Sequence, residues 1–177
     1  MSLFSRAPKK LTPKIFARQI ITLYLQVLKE EKKALRAFDR KSWLRKEQWD
    51  YDLKSHNEEH KSVYTFLSLY LGPQIFPDGT KEFKDEFYFR LQVHGVKIES
   101  GRLSEFLGAW QNALKTTSTE NTRLSSNPIH QLAEKACMLR FGDDDEWHLN
   151  NLIMMTSSIS GFISSLHMVK EAAKEYL

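Results

Sequence analysis

No Asp, Glu, Lys or Arg interrupts the sequence between Glu146 and Lys170; the only titratable groups in that stretch are His148 and His167. Within it Leu152, Met155, Ile159, Phe162, Leu166 and Val169 recur at alternating steps of three and four. That spacing returns one face of an α-helix to the same side on every turn. Ser157, Gly161 and Ser165 run along a second face at steps of four, where a neighbouring backbone could come close. A helix with two packable faces and no charge in its middle belongs in a helical bundle. The stretch is long enough to span a bilayer. It also carries five serines, a threonine, two asparagines and two histidines, which suit a protein-packed helix better than a lipid-facing one, so no transmembrane segment is expected.

The rest of the chain supports that class. A length of 177 residues with 41% hydrophobic and 12% aromatic content suits one domain with a substantial core. Thr12-Pro13 reads as a helix start, with Thr12 as the cap and Pro13 in the first turn, and the apolar face of Phe16, Ile20, Leu23 and Val27 carries the helix to about residue 38. A second helix is expected from Trp43 to Tyr70, with the stripe Trp49, Leu53, His56, His60, Val63, Leu67 and Tyr70, ended by Gly72-Pro73.

Residues 80–99 carry two patterns at once. Phe87, Phe89, Leu91 and Val93 alternate with polar residues as in a strand, whereas Phe83, Phe87 and Leu91 fit a helix interrupted at Gly95. Further helices are expected over about 102–115 and from Asn127-Pro128 to Gly142, with the Thr-, Ser- and Asn-rich segment 115–126 between them as a loop. The reading is an all-α bundle of five or six helices, with residues 12–177 as one domain around the long C-terminal helix and residues 1–11 as a flexible basic lead-in. The alternative is an α+β fold with a short hairpin near 83–98.

Charge is uneven along the chain. Residues 1–46 hold 13 Lys and Arg against 3 Asp and Glu, while residues 47–177 hold 13 against 19. A basic end of this kind fits phosphate or anionic lipid, or simply neutralises the acidic remainder within the fold. The first 29 residues have six basic groups and no acidic one, as a mitochondrial presequence would, but they read equally well as the first helix of the domain. Ile20 to Leu28 is broken by Thr22, Tyr24 and Gln26 and does not form a secretory signal. Cys137 is the single cysteine, which points to a reducing compartment, most simply the cytoplasm.

Three constellations carry chemistry. The first is His56-Asn57-Glu58-Glu59-His60, whose histidines share a helix face and whose string satisfies H-x-x-E-H, the inverted zinc-protease motif. If the seam bearing His148 meets that stripe, His56, His60 and His148 could hold a divalent transition metal, with Glu134, Asp144 or Asp145 adding an oxygen ligand and a hydrolase as the possible outcome. The plainer reading leaves His56 and His60 half-buried beside Tyr64 or Glu59. The second is the basic, aromatic-interleaved corner with Lys32, Lys33, Arg36, Arg40, Lys41 and Arg45 among Phe38, Trp43 and Trp49, which could neutralise phosphates of a nucleic acid while the rings stack on bases. Glu30, Glu31, Asp39 and Glu47 dilute it, and a solvated helical corner explains it as well. The third is the acidic run Asp143 to Glu146, which lacks the spacing of a calcium loop and suits the start of the last helix. Cys137, with apolar neighbours, reads as a buried structural thiol.

No phosphate-binding glycine loop and no G-x-S-x-G is present. The function expected from sequence is therefore a non-enzymatic helical binding or adaptor domain, with a protein partner and a homodimer as one form. Metal-bundle and nucleic-acid readings stand beside it.

Overall fold

The computed structural model describes residues 11–41, 53–117, 127–141 and 145–174. Among the described residues six helices form the bundle: α1 (Pro13–Lys41), α2 (Leu53–Leu71), α3 (Thr80–Val93), α4 (Ser100–Thr117), α5 (Pro128–Phe141) and α6 (Asp145–Lys174). A 3-10 turn, Gly72–Ile75, follows α2. The fold is all-α. No strand occurs among the described residues.

Local chemistry sets several boundaries. The Ile15 N–H donates to Thr12 Oγ1 at 3.3 Å and the Phe16 N–H to the Thr12 carbonyl at 2.9 Å, which caps α1 where the sequence places its start. The Ile129 N–H likewise donates to Asn127 Oδ1 at 2.9 Å at the start of α5, with Pro128 in the first turn. α1 runs to Lys41, through the polar break expected at 39–42. The described part of α2 begins at Leu53, and residues 42–52, including Trp43 and Trp49, lie outside the described residues.

The doubtful segment 83–98 is helical through Val93, the end of α3, and does not form a hairpin. Phe83, Phe87 and Leu91 are buried at helical spacing, while Phe89 and Val93, the other half of the strand pattern, are 54% and 59% exposed. The bundle offers this segment one covered side, against α1, so the period that gathers its rings on one side prevails. α3 ends in a Schellman motif. Gly95 takes φ 67°, its N–H donates to the Gln92 carbonyl, and the Val96 N–H donates to the Leu91 carbonyl. Val96 then folds back into the core beside Leu91.

α2 lies at the centre. It packs against α1, α4, α5 and α6. From Glu59 to Ser68 every residue is buried except Lys61, which is half-buried. The rings fix its neighbours. Tyr64 stacks on Phe162 of α6 at 4.1 Å, while Phe66 meets Phe106 and Trp110 of α4, each at 6.2 Å. Tyr24 of α1 stands edge-on to Tyr64, Phe87 and Phe162, each at 6.5 Å, and ties α1, α2, α3 and α6 together.

α6 is as long as the sequence predicts. Met155, Ile159, Phe162, Leu166 and Val169 are all buried, along α5, α1 and α2. Its other side is open. Of the small-residue line, Ser157 and Gly161 are exposed and Ser165 is half-buried; the neighbouring Ser164 is exposed as well, and a Cβ added at Gly161 would meet nothing within 4 Å. Among the described residues Ser157 and Gly161 therefore do not admit another helix of the bundle, although their spacing suggested one. They line a surface.

Candidate functional site

Two places are candidates for a functional site: a buried polar seam on α2 and the outer face of α6. The seam exists because α2 is surrounded. A helix touched on all sides must either be apolar throughout or satisfy its polar groups internally. α2 does the second with small side chains and ring hydroxyls. Ser62 Oγ donates to the Glu58 carbonyl at 3.0 Å. Thr65 Oγ1 donates to Tyr24 Oη at 3.4 Å, and the Tyr24 hydroxyl donates to the Lys61 carbonyl at 3.2 Å.

Two carboxylates complete the seam. Tyr64 donates a hydrogen bond to Glu31 of α1. Burial pushes the Glu31 carboxyl above its ordinary range, against the lowering effect of hydrogen bonds from Tyr64 and Ser158. Burial also raises the phenols of Tyr24 and Tyr64, and the charge of Glu31 raises Tyr64 further. On the opposite side of α2, Glu59 is buried and paired with Arg102 of α4, which also holds Glu99 at 2.8 Å. The surface pairing between α1 and α3 is simpler. Glu86 accepts from Arg90 at 2.8 Å and Arg18 at 2.7 Å, and those bonds hold its carboxyl below the usual range.

The sequence-predicted residues distribute as follows. His60 is 1% exposed and stands edge-on to Tyr64 at 5.6 Å, the half-buried alternative carried to full burial. His56 lies on α2 and His148 on α6, and the side chains of both are outside the described residues. Glu59, the acid of the H-x-x-E-H string, points to Arg102. Glu134 is half-buried on α5. Asp144 lies outside the described residues, and Asp145 opens α6. Among the described residues no group of three His, Cys, Asp or Glu side chains is gathered as metal ligands would be. Cys137 is buried.

In the basic corner, Lys32 and Lys33 are exposed on α1, with Lys33 paired to Glu30 at 2.7 Å. Arg36, Arg40 and Lys41 lie on the last turns of α1 with side chains outside the described residues, and Arg45 is wholly outside them. The structure thus tests neither the histidine set nor the basic set as a unit.

Chemically the seam is a closed network. Tyr24, His60 and Tyr64 are each at most 1% exposed, so their hydrogen-bonding capacity is turned inward. The α6 face is the opposite. Ile153 is 57% and Met168 67% exposed, and Ser157, Gly161 and Ser164 lie between them on the same side. Only 28% of the most apolar window of this helix is buried, although by length and composition it could cross a membrane. Sequence periodicity found the buried stripe of α6 and missed the exposed one. The available signal was the absence of charge from a stretch whose second face has no apolar repeat to fill it.

No protein-family model matches this chain, and no curated protein or solved structure matches it.

Proposed function

We propose that this chain is a non-enzymatic helical binding module whose contact surface is the open face of α6. One observation carries the reading. Through more than four turns, Ile153, Ser157, Gly161, Ser164 and Met168 present an exposed helical side with no charged residue in it. The solvated faces of α1 and α3 are charged by contrast: α1 shows Lys29, Lys32 and Lys33, and α3 shows Glu82, Lys84 and Asp85. An uncharged, small-residue face with an apolar side chain at each end allows close backbone approach and loses little hydration when covered. The inward-turned seam of α2 supports the same reading, since its polar groups serve packing between helices.

The test is site-specific photo-crosslinking in the native cells. A photoreactive side chain at Ser157 or Ser164 is expected to give discrete protein adducts. The same group at Gly108 of α4, where a Cβ also meets open space, is expected to give none. Equal labelling at all three positions, or no adduct at the α6 positions, would remove α6 as the contact surface.

A further inference from the structure

We infer that the outer side of α3, with the adjoining stripe of α1, docks on an anionic lipid bilayer. This surface is separate from the open face of α6 and stands independently of it. α1 and α3 run side by side in the same direction, since Lys14 pairs with Glu82 at 3.8 Å and Arg18 with Glu86 at 2.7 Å. Seven residues beyond Arg18 and Glu86, on the same helix faces, stand Leu25 and Val93, and Phe89 follows Glu82 by the same step. Ion pairs thus close this ridge along the first half of α3, and apolar groups replace them along the second. Phe89 is 54% exposed, Val93 59% and the flanking Tyr88 40%, while Leu25 is half-buried.

Cations frame the apolar part. The Arg90 guanidinium lies 5.7 Å from the centre of the Phe89 ring. On α1 the same stripe continues to Lys29 and Lys32, both exposed; Lys84 stands one turn before Tyr88, and Lys97 follows the end of α3. Among the described residues none of these four lysines is ion-paired. Of the three acids of α3, Glu82 is held by Lys14, and Glu86 by Arg18 and Arg90. Asp85 remains, one turn before Phe89. The field left around the exposed rings is therefore positive, which suits anionic headgroups.

Shape selects lipid as the occupant. α3 packs mainly on α1 and the 3-10 turn, so its outer side is a ridge from which the rings project. A partner helix is received in a groove, whereas a ridge sinks into a deformable headgroup layer, where aromatic side chains are favoured. Unpaired bases could stack on Tyr88 and Phe89 but would gain little from the aliphatic Leu25 and Val93.

The test is co-sedimentation of the purified full chain with phosphatidylcholine vesicles, with and without phosphatidylserine. Binding is expected to the mixed vesicles at low salt, to weaken steeply as salt rises, and to be far weaker on phosphatidylcholine alone. Phe89→Ser with Val93→Ser should lower the partition at least about tenfold. Lys29→Glu with Lys32→Glu should do the same, at about fivefold for each lysine lost. All four side chains are exposed, and circular dichroism checks that both double variants keep the fold. Contact is read from an environment-sensitive fluorophore at Gln92→Cys, an exposed position beside Tyr88 and Phe89, with Cys137 buried. Its emission should shift to the blue on the mixed vesicles, and the same label at Gly108→Cys of α4 should not shift. No binding to the mixed vesicles would overturn the proposal, as would retention by nucleic acid alone. Binding that survives both double variants but is lost in Ile153→Ser with Met168→Ser would place the lipid on α6 and overturn it as well.

Discussion

α2 and α6 both carry serine and threonine among their apolar residues, yet the bundle uses them in opposite ways. α2 is buried from Glu59 to Ser68, half-buried Lys61 apart, with polar residues on several sides, whereas α6 buries one stripe and leaves an uncharged side open. The difference teaches that polarity of a side chain does not by itself report burial. Ser62 and Thr65 of α2 are buried because their hydroxyls donate within reach, at 3.0 and 3.4 Å. Ser157 of α6 is exposed, with no element lying over it among the described residues. Sequence shows the same kinds of residue in both places.

The largest expected contrast comes from truncating each helix. Phe66→Ala on α2 should cost about 4 kcal/mol, since its ring packs among Tyr70, Phe106 and Trp110 and would leave a cavity. Ile153→Ala on the open side of α6 should stay within about 0.5 kcal/mol for the monomer. Urea unfolding of both variants at low protein concentration measures the pair. Equal losses would mean that α6 is covered within the monomer.

Next in size is the ion pair on α2. Arg102→Met should cost about 3 kcal/mol, because it withdraws the guanidinium from a carboxylate that is almost wholly buried. Restoration of most of that loss by a second change, Glu59→Gln, in a double-mutant cycle would identify the cost as the deserted charge.

The glycines sharpen the comparison in opposite directions. A Cβ at Gly72, just beyond α2, would lie 2.4 Å from Cζ of the fully buried Phe83 ring, so Gly72→Ala should destabilise by about 2 kcal/mol. Gly161→Ala should stabilise the monomer by about 1 kcal/mol, since it gains helix propensity and meets nothing. A loss at Gly161 under the same conditions would contradict the open face.

The smallest effect is a pH slope. Burial raises the Glu31 carboxyl in the folded chain above its unfolded value, so the folded state holds that proton more tightly. The stability it contributes is present in full at pH values below the ordinary carboxylate range. It is lost as pH rises from there through the raised folded value. Glu31→Gln keeps an oxygen to accept from Tyr64 and removes the titration. The variant should therefore show a flatter decline in stability over that window than the parent, by thermal melts at a series of pH values. An unchanged slope would mean that the Tyr64 and Ser158 hydrogen bonds fully offset the burial.

Much of the fold was legible because helical packing writes a period into sequence. The cap at Thr12, the proline start at Pro128, the stripe of α6 and the stop at Gly95 are local signals, each read from residues a turn apart. Segment 83–98 was ambiguous because Phe87 and Leu91 satisfy both periods. Only the exposure of Phe89 and Val93 separates them. The pairings that define the seam left no such trace. Glu31 meets Tyr64 and Glu59 meets Arg102 across separations of 33 and 43 residues.

The sequence by itself determined the class of fold, the approximate extent of the helices and the uncharged character of α6, because each follows from contacts within one helix turn. Tertiary structure alone decided that α2 occupies the centre, that His60 and Glu59 turn inward to Tyr64 and Arg102, and that the small residues of α6 face outward. The physical reason is that periodicity fixes which residues share a helix face, while the neighbour that covers a face is chosen by packing among all the helices at once.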